Sequence, residues 1–287
     1  MKTQLIFLFL LSISFFLACD REKTTIAQGN DLTMLQDGNP FNFSPENVDG
    51  HILIVSNHLT GSEQPSDFSI TGNLKNKKGK PFNWSELSLA GIPLTVETTP
   101  DGEIRPGRVA QYFSILRPTE GYDDIYNAYQ KGKIDFNLNS VQETIEIPNL
   151  IELDLSANIF YSDDIGRFDG VNLKKNFIIR WNPNSDLAKD GLSKVGMFAV
   201  YHAGTSRRYI DENLPENNKT IFKLVDDAVG EVVISPSEFA QKEFPDSGLI
   251  TITIARSSAQ LLDTLEDLEL VISGVTYQAS DYIQLSY

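Results

Sequence analysis

The hydrophobic positions in the C-terminal half of the chain recur with a period of two residues. In residues 249–256, Ile250, Ile252 and Ile254 alternate with two threonines and an alanine. This alternation is typical of a β-strand with one face on a hydrophobic core. It predicts further strands over residues 151–155, 177–181, 195–202, 220–225, 230–234, 268–273 and 282–286. About eight short strands separated by turns indicate a β-sandwich over residues 149–287.

The first half has a weaker pattern of the same kind and predicts a β-rich domain over residues 47–148. Its predicted strands cover residues 51–56, 67–73, 85–98 with breaks at Gly91 and Pro93, 109–116 and 133–138. Residues 123–130 predict one or two helical turns, and residues 235–238 have the sequence of a capping box at the start of a second short helix. No long amphipathic helix separates the strands, so the pattern favours an all-β fold over a parallel α/β fold.

The N-terminus has the pattern of an export signal. Lys2 precedes an apolar run over residues 5–18, which is shorter than the ~20 residues that a membrane-spanning helix needs. The run ends in Phe16-Leu17-Ala18-Cys19, which resembles the lipobox of bacterial lipoproteins, although an aliphatic residue usually stands in the place of Phe16. The resemblance implies that residues 1–18 are a signal peptide and that Cys19 carries acyl chains such as palmitate. An ordinary secretory signal peptide is the alternative.

Acidic residues follow the cysteine directly, at Asp20 and Glu22. This arrangement is similar to the surface-export signal of Bacteroidota-type lipoproteins, which implies a lipid anchor in the outer membrane and a surface-facing protein. In enterobacterial lipoproteins an aspartate at this position instead implies retention in the inner membrane, and a periplasmic face also stays open. Residues 19–46 are polar and predict a lipidated N-terminus followed by a flexible tether.

The net charge of the chain argues against two classes of binding partner. Lys and Arg number 24 against 39 Asp and Glu, so the formal net charge is −15. Nucleic acids and anionic lipid headgroups both require clustered positive charge, which argues against them as main partners. Cys19 is the sole cysteine, so the chain can form neither an internal disulfide nor a thiolate metal cluster.

The C-terminal half contains four stretches in a characteristic order: residues 179–182 with Trp181, residues 225–230, the capped turn at 235–238, and residues 254–256. Together they resemble the Ig-like β-sandwich modules of uncharacterised Bacteroidota-type surface lipoproteins. Residues 70–73 and 79–81 are faintly similar to another such module. The resemblance implies two tandem Ig-like β-sandwich domains.

The sequence contains few candidate binding residues, and it leaves open which ligand they bind. Three carboxylates near a glycine are compatible with a calcium site or with a solvated turn: Asp163, Asp164 and Asp169. Three residues are candidates for contact with a glycan: Trp84, Arg207 and Tyr209. Packing on the first core is the alternative for Trp84. The sequence has no G-x-S-x-G nucleophile motif and no glycine-rich phosphate loop, so it predicts no catalytic residues and no cofactor.

These observations predict a non-enzymatic, lipid-anchored cell-envelope protein that serves as a structural or protein-interaction module at the outer membrane. The alternative is a glycan-binding accessory lipoprotein of an outer-membrane uptake system. A long unpaired edge strand would favour the first function, by strand addition to a partner, and exposed aromatic rings on one face would favour the second. An envelope hydrolase is a third class, for which the sequence has no catalytic constellation.

Overall fold

The computed structural model describes residues 32–34, 43–45, 50–59, 65–76, 78–116, 119–158, 171–184, 193–204, 219–262 and 268–286. The described chain is mostly β-strand, which confirms the predicted all-β class. The strands of the first half are β1 (Leu32–Met34), β2 (Phe43–Pro45), β3 (Gly50–Leu59), β4 (Asp67–Leu74), β5 (Leu87–Leu89), β6 (Ile92–Pro93), β7 (Val96–Thr98), β8 (Ile104–Ser114), β9 (Lys133–Leu138) and β10 (Val141–Glu146). The strands of the second half are β11 (Leu153–Asp154), β12 (Val171–Asn172), β13 (Phe177–Trp181), β14 (Lys194–His202), β15 (Thr220–Asp226), β16 (Glu231–Ile234), β17 (Gly248–Leu262), β18 (Leu270–Ala279) and β19 (Ile283–Ser286).

The first α-helix, α1 (Tyr122–Lys131), is longer than the one or two turns that the sequence predicts. Its buried residues include Ile125 and Tyr129, which lie four positions apart and place one face of the helix on the core. Burial of this face stabilises the helix, because a helix of ten residues is marginal on its own in water. Gly132 ends the helix in the left-handed conformation, with φ at 67°.

The second α-helix, α2 (Pro236–Gln241), begins with the capping box that the sequence predicts. The backbone N–H of Ser235 donates to Glu238 Oε2 at 2.9 Å, and Pro236 occupies the first helical position. Within the described residues, no helix is long and apolar enough to cross a membrane.

One ten-stranded sheet connects the two halves of the chain. Its main path is β12-β19-β17-β18-β3-β4-β8-β7, and β14 and β15 extend it from β17. β17 is 15 residues long, and it pairs antiparallel with β14, β18 and β19. β18 pairs in parallel with β3 along all ten of its residues, so the C-terminal strands lie beside the N-terminal ones. Residues 47–148 and residues 149–287 both contribute strands to this sheet. The predicted domain boundary between residues 148 and 149 therefore stays a prediction.

Two hydrophobic clusters lie against one side of the large sheet, which we call the core face. Cluster 1 contains Ile52, Ile54 and Ile272 of the large sheet, and the small sheet β10-β9-β5-β6 and α1 contribute to its other side. Cluster 2 contains Ile250 and Ile252 of the large sheet, and the small sheet β11-β13-β16 and α2 contribute to its other side. The architecture is therefore sandwich-like at two places along one sheet. The number of Ig-like domains stays a prediction.

The linker between the two small sheets, residues 147–152, and the first residue of β11 are held against the core face by polar side chains of β17 and β18. Arg256 Nη1 donates to the carbonyl oxygens of Asn149 and Leu150 at 3.0 and 3.2 Å. Ile151 N donates to Thr276 Oγ1 at 3.4 Å, and Leu153 N donates to the side chain of Gln278. These contacts satisfy backbone groups that would otherwise be buried without a partner.

The linker passes close to the sheet at Gly274. A Cβ atom at Gly274 would lie 2.6 Å from Cδ of Pro148, which is shorter than any normal contact. Only glycine leaves room there for the linker.

Candidate functional site

The candidate site is strand β15, which lies at an edge of the large sheet. Among the residues that the structure describes, β15 pairs with β14 alone. Its seven residues, Thr220–Asp226, contain neither proline nor glycine, and the pairing with β14 is regular along the strand. Such an edge offers a row of backbone donors and acceptors to another strand.

The backbone hydrogen bonds define which residues of β15 face outward. Tyr201 N donates to Lys219 O at 3.0 Å, and Asp227 N donates to Ser193 O at 3.4 Å. In an antiparallel pair the hydrogen-bonded residues alternate, so the odd-numbered residues of β15 bond to β14. The N–H and C=O groups of Thr220, Phe222 and Leu224 therefore point away from the sheet. No strand in the described part of the chain receives them.

The side chains of the outward-facing residues form an apolar row. Phe222 and Leu224 lie on the side opposite cluster 2, which we call the outer face, and they are 40% and 41% exposed. The ring of Phe222 stacks on Phe198 of β14, with centroids 4.8 Å apart and an interplanar angle of 29°. Phe198 is itself buried. A strand added at this edge would thus find an apolar surface beside the backbone groups.

The odd-numbered side chains of β15 face the core. Ile221 is buried in cluster 2. Lys223 Nζ donates to Val233 O at 2.6 Å and lies 2.6 Å from Glu238 Oε1. The hydrogen bond from Lys223 lowers the pKa of Glu238, and the bond from the Ser235 backbone N–H acts in the same direction. The side chain of Lys223 is therefore held toward the core with its charge paired. It does not prevent another strand from pairing with this edge.

A second ion pair lies at the C-terminal end of β15, where Lys194 of β14 pairs with Asp226. Together with the pair of Lys223 and Glu238, it neutralises the charged residues of β15 itself. This is unlike the chain as a whole, whose formal net charge is −15.

Other edge strands of the described sheets differ from β15 in length or charge. β7 and β12 have three and two residues. β10 is six residues long, but it carries Glu143 and an exposed Glu146. Short strands and charged edges are two ways in which proteins prevent strand addition. β15 is seven residues long, and the charged residue on its outer face, Asp226, lies at its end and is paired with Lys194.

A buried ion pair fixes the end of β15. Asp227 follows the strand directly, and its Oδ2 lies 2.8 Å from Arg256 Nε, both side chains being fully buried. Trp181 Nε1 donates to Asp227 Oδ1 at 2.9 Å, and Ser193 Oγ donates to Oδ2 at 2.8 Å. Burial lowers the pKa of Arg256, and the charge of Asp227 opposes that effect. Because solvent does not reach this pair, we assign it a structural role.

The residues that the sequence singled out are distributed as follows. Trp84 is partly buried and packs against cluster 1, and its contact with a glycan stays a prediction. Trp181 is 4% exposed in cluster 2, as its alternating neighbours predict. The other candidates lie outside the described residues, so their roles stay predictions: Cys19, Asp163, Asp164, Asp169, Arg207 and Tyr209. Within the described part of the chain, no group of three or more His, Cys, Asp or Glu side chains is placed to hold a metal ion.

No protein-family model matches this chain, and a comparison with curated proteins finds no match.

Proposed function

We propose that this protein is a non-enzymatic, lipid-anchored component of the cell envelope that binds an extended protein segment by strand addition to β15. The observation that carries the proposal is the outward-facing backbone of Thr220, Phe222 and Leu224, with two exposed apolar side chains beside it. In strand addition, backbone hydrogen bonds supply affinity, and alternate side chains supply specificity.

The edge defines the chemistry of the partner segment. The segment must be extended, and every second side chain must be apolar in order to pack beside Phe222 and Leu224 on the outer face. It needs no strong charge of either sign, because both charged residues of β15, Lys223 and Asp226, are in ion pairs.

Leu224→Lys is expected to reduce partner binding at least tenfold. The substitution places a charge in the apolar row, beside the backbone groups that the partner strand must approach. The measurement is capture of proteins from native membranes by the full chain, solubilised in mild detergent, compared between the native protein and the variant.

Leu116→Lys is the matched control, since Leu116 is 80% exposed and lies outside the strands. Leu224→Pro is a second test, because it removes an outward N–H and leaves the hydrogen bonds to β14 in place. A partner captured equally by the native protein and both Leu224 variants would contradict binding at β15. Saturable binding to soluble polysaccharides that is insensitive to these variants would favour the glycan-binding alternative.

The anchor part of the proposal rests on Cys19 and the apolar run before it. Cys19→Ala is expected to abolish incorporation of labelled palmitate and to release the protein from the membrane fraction, because the variant has no thiol to acylate. Metabolic labelling followed by fractionation measures both effects. Continued labelling of the variant would rule out an anchor at this residue.

A further inference from the structure

We infer that the segment received by β15 is the β15 strand of a second copy of this chain, so that two large sheets join across a twofold axis. The inference rests on the proposed function and names the partner of the same edge. It starts from the direction of the backbone groups on this strand.

The outward-facing residues restrict the register of such a pair. Hydrogen-bonded pairs in an antiparallel ladder must join residues whose N–H and C=O groups both face the partner, which here are the even-numbered residues. A twofold axis at Lys223 places Phe222 opposite Leu224 of the second copy, and Thr220 opposite its Asp226. This register pairs all seven residues of Thr220–Asp226. An axis at Phe222 or at Leu224 would leave two residues of each strand without a partner.

The side chains in this register are compatible on both faces. On the outer face, Phe222 and Leu224 of one copy continue the apolar row of the other, and such cross-strand pairs stabilise a sheet. At the ends, the hydroxyl of Thr220 lies opposite the carboxylate of Asp226. On the core face, Lys223 lies opposite its own copy, but each lysine is already paired with Glu238.

The charge of the edge permits two copies of an acidic protein to approach. The ion pairs at Lys194 and Lys223 neutralise the carboxylates nearest the contact. Charges farther from the contact are screened beyond about 8 Å at physiological ionic strength. The area that one strand pair buries is smaller than the roughly 1,600 Å² of a standard protein–protein interface. We therefore expect a reversible dimer.

Lys223→Cys is expected to form a disulfide between two copies. Opposite residues at the centre of the proposed register are a non-hydrogen-bonded pair with Cα atoms about 4.5 Å apart, which suits a disulfide. The experiment uses the full chain with Cys19→Ala, so that residue 223 carries the only thiol. Oxidation in mild detergent followed by non-reducing electrophoresis gives the readout.

Asp226→Cys in the same background is the matched control. Asp226 is also in an ion pair and its side chain is 61% exposed, but in this register its counterpart in the second copy lies too far away for a disulfide. A disulfide at 223 and none at 226 supports the register. Absence of a disulfide at 223, or equal cross-linking at both positions, overturns it.

Sedimentation of the native chain and of Leu224→Lys provides a measurement that does not depend on the cysteine variants. We expect a concentration-dependent dimer whose dissociation constant rises at least tenfold in Leu224→Lys and stays unchanged in Leu116→Lys. A native monomer, or a dimer insensitive to Leu224→Lys, overturns the self-pairing. If Leu224→Lys then still abolishes capture of another protein, the proposed function stands and only the identity of the partner is wrong.

Discussion

Replacing Asp227 by alanine is expected to lower the free energy of unfolding by about 3–5 kcal/mol. Asp227 and Arg256 are both fully buried, with Asp227 Oδ2 at 2.8 Å from Arg256 Nε. The variant leaves the guanidinium charge in the interior without its carboxylate. It also removes the acceptor of the Ser193 hydroxyl and one of the two acceptors of the Trp181 indole, which keeps the backbone oxygen of residue 227. Urea unfolding followed by circular dichroism measures the loss.

Asp226→Ala is the matched control, because Asp226 precedes Asp227 in the chain but forms its ion pair at the surface. Exposed ion pairs contribute little to stability, so this variant should unfold close to the native protein. Asp227→Leu combined with Arg256→Met removes both buried charges and should recover only part of the loss, because methionine cannot donate to the carbonyl oxygens of Asn149 and Leu150. If Asp227→Ala were no less stable than Asp226→Ala, the structural role of the buried pair would be wrong.

The second large effect is expected for Trp181→Ala, which should lower the melting temperature by on the order of 10 °C. Trp181 is 4% exposed in cluster 2, so the substitution leaves a cavity between β13 and the large sheet. It also leaves Asp227 Oδ1 without the indole donor, which lies at 2.9 Å in the native protein. Thermal unfolding by calorimetry measures the shift.

Two variants separate the cavity from the hydrogen bond. Trp181→Phe retains an aromatic ring but has no N–H, so its loss should be smaller and reflect mainly the missing hydrogen bond to Asp227, whose carboxylate keeps Arg256 and Ser193 as donors. Trp84→Ala removes a tryptophan that is only partly buried against cluster 1, and it should cost less than Trp181→Ala. An unchanged melting temperature for Trp181→Ala would contradict the placement of this ring in the core.

Several elements could be predicted from the sequence because their pattern is local. β9 has the predicted bounds, and β13 was expected from the alternation of Phe177, Ile179 and Trp181. The capping box at Ser235 formed as the residue types indicate. In each case the signal lies within a few residues, and the fold reinforces it.

Other elements escaped prediction because their signal is weak or lies far away in the chain. β10 was missed, since only Ile145 of this strand is buried and its polar residues obscure the alternation. The predicted strand over residues 151–155 is reduced to Leu153–Asp154, because the linker before it is held by side chains of β17 and β18. β17 and β18 extend beyond their predicted ends, because they pair with each other and β18 also pairs with β3.

The sequence by itself determined the all-β class, most of the strands, the capped helix α2 and the core position of Trp181. The sequence also predicted a strand at residues 220–225, but its pattern does not indicate that this strand lies at the edge of a sheet. Only the tertiary structure decided that, within the described residues, β15 pairs on one side, and that Arg256 meets Asp227 and the linker. The reason is physical: alternation reports which face of a strand is buried, whereas an edge or a buried ion pair depends on segments that are brought together by folding.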